Sequence, residues 1–267
     1  MPSIIYQICK EHRQTNKTAV IRKFGLIGNP LSHSFSIEYF HQKFLSENIT
    51  DCVYENFQLK NLDNLRSLIY SDMSISGLNF TIPYKIEVLP YLDETDHSVK
   101  EVQAVNCVKI IRTNNTLHLK GYNTDMPAFK GTLQPLLRHT NLKALVFGTG
   151  GAARAVCQAL KELKIDYSQV SRREQTGLLR YTELDGRIID SHKLIINATP
   201  VGMSPIENLC PPLPYEYLTS EHLLYDLIYN PEETLFLKKG TEAGSRIKNG
   251  LEMLQLQAEL SWAIWHE

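Results

Sequence analysis

A short apolar run, Lys143 to Phe147, ends in Gly148-Thr149-Gly150-Gly151 and passes directly into an alanine-rich amphipathic segment. That arrangement constrains the architecture more than any other stretch of the chain. It reads as strand, turn and helix in the pattern Gly-x-Gly-x-x-Ala. Gly148 makes the tight turn, Gly150 lets a pyrophosphate approach the backbone, and Ala153 lets the helix pack on its strand. The free amides and dipole of the helix start favour an anion. Glycines end many strands for steric reasons alone, so the triplet carries weight only because an apolar strand precedes it and a helix follows.

The same alternation recurs along the chain. Phe24 to Gly28 reads as a first strand and Ser36 to Leu45 as a helix, with Ile37, Phe40, His41 and Phe44 on one face. A strand near Val53 to Phe57, a helix over Leu62, Leu65, Leu68 and Ile69, and a strand Ile75 to Phe80 follow, then a hairpin, Val105 to Ile111 and Thr116 to Gly121, turning at Asn114-Asn115. Thr124 to Leu137 should be helical. In the second half, Gly150 to Leu163 reads as helix, Asp166 to Ser171 and Lys193 to Ala198 as strands, and Leu251 to Trp265 as a last helix whose Trp262 and Trp265 anchor its packing. The expected class is α/β, with sheets parallel in large part. Two domains are expected, an α/β unit over 1–122 with 248–267, of which 1–22 is an extension, and a Rossmann-like unit over 123–247, with the last helix packing back on the first.

With 267 residues, 43% apolar composition and a formal net charge of -1, the chain can bury a real core and has no electrostatic bias toward nucleic acid or an anionic membrane. Small molecules are the expected partners. Five scattered cysteines without Cys-x-x-Cys spacing fit a reduced cytoplasm. The basic first 23 residues lack the apolar core of a signal peptide, and no later stretch is long enough to span a bilayer. The nine histidines form no metal-binding spacing, so no metal is expected.

Two polar blocks lie upstream of the glycine turn: Asn79 to Lys85 and Gly121 to Asp125. An ammonium held near a carboxylate can pass a proton to or from an oxygen whose carbon gains or loses hydride, so Lys85 and Asp125 point to a metal-free alcohol dehydrogenase. Each residue alone also fits a blander role, Lys85 as a surface lysine after a proline turn and Asp125 as the cap of a helix starting near Met126. An NAD enzyme would carry an acidic residue at the tip of the strand after the turn, about 20 residues on. Here the tip is Ser171-Arg172-Arg173. Two guanidinium forks suit a 2′-phosphate, and NADP is the expected cofactor. Glu174 next door leaves a ribose contact of the NAD type open.

From Phe24 to the C-terminus the chain resembles the shikimate dehydrogenase family. The matching stretches are Gly28 to Ser36, Asn79 to Lys85, Ala104-Val105-Asn106, Asn123-Thr124-Asp125, Gly148 to Ala152, Asn197 to Met203, and Asn249-Gly250-Leu251 through Gln257. The resemblance makes the first unit an N-terminal α/β substrate domain and the second a Rossmann-like NADP-binding domain. It implies NADPH-dependent, reversible reduction of 3-dehydroshikimate to shikimate, on the way to chorismate and the aromatic amino acids, by a monomer or homodimer. It implies catalysis by Lys85 and Asp125. Ser34 and Ser36, assisted by Tyr229, would hold the substrate carboxylate, and Thr81, Asn106, Asp125 and Gln257 the ring hydroxyls. Gly148, Gly150, Gly151 and Ala152 would cradle the pyrophosphate, and Ser171, Arg172 and Arg173 the adenine-side phosphate. Thr199, Gly202, Met203, Leu227 and Gly250 would border the nicotinamide. The chain departs from the family pattern at Ile37, Gln103 and Met126, and at Ser171, where asparagine is usual. Two alternatives stay open: an NAD-using quinate/shikimate dehydrogenase, and a non-catalytic relative that senses NADP or shikimate.

Overall fold

The computed structural model describes residues 21–31, 35–114, 116–138 and 141–267, which fold into two lobes, each built on a six-stranded sheet. In the first lobe, β1 (Arg22–Gly28), α1 (Phe35–Ser46), β2 (Cys52–Gln58), α2 (Leu65–Ser71) and β3 (Ile75–Phe80) follow the expected alternation. Then come α3 (Tyr84–Glu87), β4 (Glu94–Thr95), α4 (His97–Val102), β5 (Cys107–Thr113) and β6 (Thr116–Tyr122). The strand order is β2-β1-β3-β5-β6-β4. β1 lies parallel to both β2 and β3, whereas β5 runs antiparallel to β3 and to β6. The hairpin therefore makes this sheet mixed. Asn114 supports the reversal in the left-handed region at φ 48°, which asparagine tolerates better than most residues.

The second lobe contains α5 (Asp125–Leu133), β7 (Lys143–Phe147), α6 (Gly151–Glu162), β8 (Asp166–Ser171), β9 (Leu179–Arg180) and α7 (Gly186–Ser191). It continues through β10 (Leu194–Asn197), β11 (Leu223–Asp226), α8 (Leu235–Glu242) and β12 (Arg246–Lys248). All neighbouring strands are parallel in the order β9-β8-β7-β10-β11-β12. Numbered within the lobe this is 3-2-1-4-5-6, the Rossmann order. Its central strands carry apolar side chains on both faces, because a parallel sheet is covered on both sides. Val146, Ile196 and Tyr225 meet α5 and α6, while Phe147, Ile195 and Leu224 meet α7 and α8. The strand order reverses between β7 and β10, and the glycine turn after β7 sits at that reversal.

Helix α5 ends four residues before the expected Leu137, and a single 3₁₀ turn over Gln134–Leu136 replaces the last turn. Pro135 has no amide hydrogen to give back to the helix, which stops the α pattern there.

The last helix, α9 (Leu251–His266), joins the lobes. Met253, Leu256 and Leu260 pack on the Rossmann core, and Ala258, Trp262 and Trp265 on the first lobe. Trp265 stacks on Phe24 with ring centroids 4.7 Å apart, and its indole N–H donates to the Val108 carbonyl at 3.1 Å. A Cβ at Gly77 would fall inside 3.0 Å of that indole, so β3 must carry a glycine for the helix to seat. Truncating so buried an aromatic ring costs about 3–5 kcal/mol. No helix among the described residues is long and apolar enough to cross a membrane.

Candidate active site

Lys85 and Asp125 meet where the lobes touch. Lys85 stands on α3, immediately after β3, and its carbonyl accepts from the Val105 amide at 2.7 Å, which ties it to the segment bearing Asn106. Asp125 opens α5. The Lys85 Nζ donates to Asp125 Oδ2 at 2.5 Å, with side-chain exposures of 17% and 5%. A charge-assisted bond this sheltered from water is far stronger than a surface ion pair, and cutting one partner away leaves a stranded charge. The helix-capping role open to Asp125 falls to Asn123 instead. Its Oδ1 accepts from the Met126 amide at 2.9 Å while its Nδ2 donates to the Ala104 carbonyl at 2.9 Å. The carboxylate of Asp125 is thereby free for Lys85 and Asn106.

Asn106 has a fixed orientation. The Thr124 amide donates to its Oδ1 at 2.7 Å, so the NH₂ group faces the opposite way. That group reaches Thr124 Oγ1 at 2.8 Å, Asp125 Oδ1 at 3.0 Å and Gln257 Oε1 at 3.3 Å. Two hydrogens meet three acceptors, and Gln257, the most distant, keeps the most acceptor capacity for a ligand hydroxyl. Gln257 Nε2 is occupied by the Leu254 carbonyl at 2.9 Å.

A buried polar web behind these groups was not assigned from the sequence. The Tyr54 hydroxyl donates to Asn79 Oδ1 at 2.8 Å, and Asn79 Nδ2 reaches the Asn106 carbonyl and Ser261 Oγ, each at 3.0 Å. Ser261 lies 3.3 Å from Thr124 Oγ1. The web extends to Ser36, the second residue of α1, whose hydroxyl is in reach of the Tyr54 phenol; burial pushes that phenol well above its ordinary range. Ser34 lies outside the described residues. Thr81 is half-buried beside β1, its methyl carbon packed where a Gly28 Cβ would be. Tyr229 arrives from the other lobe. Its ring is 5.5 Å from that of Phe35, and its hydroxyl is in reach of the Phe35 amide, with burial raising the phenol.

The glycine turn has the shape a dinucleotide requires. Gly148 has φ 112°, and a Cβ there would lie 2.9 Å from the Ala198 carbonyl. Gly150 opens α6 with no side-chain cap and faces space empty for 4 Å around its missing Cβ. These are the uncapped helix start and open backbone that a pyrophosphate needs. Gly151 does something further: its Cβ would sit 2.7 Å from Lys85 Cβ. The cofactor-type turn and the lysine are thus in direct contact, with Ala152 following in the same helical turn. At the far end, Arg172 and Arg173 are exposed and pair with no acidic side chain among the described residues, while Ser171 Oγ accepts from the Arg173 amide at 3.1 Å. Glu174 leans toward Arg180, 3.9 Å away.

The remaining group gathers at the ends of β10 and β11. The Thr199 hydroxyl donates to Asn197 Oδ1 at 2.6 Å, Gly202 turns at φ 105°, and Met203 is exposed. Gly250 crosses so close to the end of β11 that a Cβ would fall well inside 3.0 Å of the Leu227 carbonyl. Asp226, unassigned from the sequence, lies wholly buried among them, and desolvation pushes its carboxyl up to about 6. The available signal was an acid closing the apolar run Leu223 to Tyr225.

Gln103, one of the departures, caps α4 in the left-handed region at φ 55°, a conformation glycine adopts more readily. Its carbonyl accepts from Arg154 Nη1 at 2.9 Å, a second bridge between the lobes.

A Rossmann lobe whose glycine turn abuts a lysine–aspartate pair on a smaller α/β lobe is the build of a nicotinamide-dependent oxidoreductase. Residues 26–108 match the family model for the shikimate dehydrogenase substrate binding domain. A relative from Methanococcus vannielii, named shikimate dehydrogenase (NADP(+)), is 35% identical over 262 residues, covering 90% of each chain. The chain belongs to the shikimate dehydrogenase family. Among solved structures, shikimate 5-dehydrogenase from Thermus thermophilus in complex with NADP(H) and shikimate aligns with a TM-score of 0.79 at 28% identity, covering 92% of this chain and 93% of that one. The Listeria monocytogenes enzyme in complex with shikimate and NAD aligns with a TM-score of 0.78 at 26% identity, covering 92% of each chain.

Proposed function

We propose that this protein is an NADP-dependent shikimate dehydrogenase that reversibly reduces 3-dehydroshikimate to shikimate. The observation that carries this reading is the Lys85–Asp125 pair, 2.5 Å apart and packed against Gly151 of the dinucleotide turn. Bound NADPH supplies the hydride. As negative charge grows on the substrate oxygen, the Lys85 ammonium stabilises it and delivers the proton; with one N–H on Asp125, two remain for the ligand. In oxidation the lysine takes the proton back. Asp125 orients the lysine and the reacting hydroxyl, and Asn106 braces Oδ1 so that Oδ2 stays on Lys85.

Ser34, Ser36 and Tyr229 bind the carboxylate with neutral donors, which avoids burying a second unpaired charge. Thr81, Asn106 and Gln257 select a polyhydroxylated ring, since a site built to hydrogen-bond hydroxyls rejects an analogue that lacks one. Gly148, Gly150, Gly151 and Ala152 hold the pyrophosphate, and Ser171, Arg172 and Arg173 the 2′-phosphate. Thr199, Gly202, Met203, Leu227 and Gly250 wall the nicotinamide. In this assignment residues 1–122 with 248–267 carry the substrate and 123–247 the cofactor, and the enzyme works in the cytoplasm.

The test follows reduced-nicotinamide absorbance with wild type and Lys85→Ala. Turnover should fall about 100-fold or more while NADP and shikimate still bind, as expected when a general acid is lost. An unchanged rate would refute the role of Lys85, and tight binding without wild-type turnover would point instead to a sensing relative. Rates with quinate and with NAD test the broader-specificity alternative.

A further inference from the structure

β11 ends in a carboxylate with no cation beside it. Asp226 has no ion-pair partner among the described residues and is wholly buried. Its Oδ1 accepts from Asn197 Nδ2 and from the Ile228 amide, each at 3.0 Å, and its Oδ2 accepts from the Thr234 hydroxyl at 2.6 Å. Burying a charge among neutral donors costs stability relative to a neutral side chain of the same shape. A carboxylate does, however, accept from several directions without having to donate.

The three donors belong to three different segments. Asn197 ends β10, and its carboxamide organises the loop beyond: its Oδ1 accepts from the Thr199 amide at 3.1 Å and its Nδ2 reaches the Val201 carbonyl at 3.1 Å. Ile228 lies between Leu227 and Tyr229. Thr234 caps α8 by accepting from the Leu237 amide at 3.3 Å. The loop and the strand exit also touch, since a Cβ on Gly202 would lie 3.5 Å from Thr234 Cβ and 3.6 Å from Ile228 Cδ1.

We propose that Asp226 is a positioning residue that locks the Thr199–Met203 loop and the Leu227–Tyr229 segment into one frame. It thereby sets the nicotinamide wall and the Tyr229 hydroxyl together for cofactor and substrate. The identity of these ligands rests on the function proposed above. Asp226 touches neither; it acts through Asn197 and Ile228. Losing the link should therefore weaken both ligands at once, although their sites lie on different lobes.

The experiment compares wild type with Asp226→Ala, Asp226→Asn, Asn197→Ser and Thr234→Val. The NADP dissociation constant is measured calorimetrically without substrate, together with KM for NADPH and 3-dehydroshikimate, kcat and the melting midpoint. Asp226→Ala and Asn197→Ser should each raise the NADP dissociation constant and both KM values about tenfold, more than they lower kcat. Asp226→Asn keeps acceptance from Asn197 and Ile228 and can donate to Thr234, so it should stay within about twofold of wild type. Thr234→Val removes only the α8 side of the hub and should lower the melting midpoint with KM unchanged. If Asp226→Ala does not fold, Asn197→Ser decides. Wild-type binding and KM values in folded Asp226→Ala or Asn197→Ser, or the same KM rise in Thr234→Val, would overturn the proposal. An inactive wild type would remove the functional reading alone, because calorimetry on NADP still judges the hub.

Discussion

Replacing Asp226 by asparagine should make the protein more resistant to denaturant at neutral pH, and the gain should vanish in acid. Burial raises the Asp226 carboxyl from its ordinary 3.8 to about 6. A displacement of that size corresponds to ~3 kcal/mol. The direction follows from proton linkage. Because the folded protein holds this proton more tightly than the unfolded chain, the associated stability is fully present below about pH 4 and is lost as pH rises through about 6. The asparagine side chain does not titrate, so the wild type should lose ~3 kcal/mol relative to the variant across that window, about half of it between pH 5 and 8. Urea unfolding of both proteins at intervals of pH, followed by fluorescence of Trp262 and Trp265, gives the difference in midpoint and free energy. The contacts to Thr234 and Ile228 survive in the variant, so the pH-dependent part isolates the charge. A stability difference that stays constant from pH 5 to 8, or one that favours the wild type increasingly as pH rises, would show that the carboxylate is not a desolvated, unneutralised group.

Two other outcomes follow from the site. Replacing Arg172 and Arg173 together by alanine should weaken NADP far more than NAD, because only the 2′-phosphate gains from their exposed guanidinium groups; equal weakening in binding titrations with both nucleotides would remove that assignment. Gly250→Ala should destabilise the protein by about 2 kcal/mol or more and depress cofactor affinity, since its Cβ would collide with the Leu227 carbonyl and the backbone must move. An alanine variant with wild-type melting and NADP affinity would contradict the close crossing.

Much of this architecture is legible in local sequence because its signals are short-range. The apolar runs of β7 and β10, the glycine turn between β7 and α6, and the helical spacing of α9 each depend on residues within a dozen positions. The short elements β4, β9 and β12 are not legible in this way, having only two or three residues each and being defined by pairing with distant strands. The same contrast holds in the site. Lys85 and Asp125 stand out in polar blocks, yet whether Asp125 caps a helix or meets a lysine depends on Asn123 taking the cap. Tyr54, Ser261 and Asp226 read as ordinary residues until folding buries them against partners 25, 182 or 29 positions away.

The amino-acid order by itself determined the class of fold, the glycine turn after β7 and the pool of polar residues from which a site is made, because backbone conformation and apolar periodicity are local properties. Tertiary structure alone decided that Gly151 rests on Lys85, that α9 packs on the Rossmann core as well as on the first lobe where it was expected, and that the Asp226 carboxylate sits buried without a cation at the end of β11. Those outcomes depend on distance and desolvation between segments remote in the chain, and neither quantity exists until the lobes have packed.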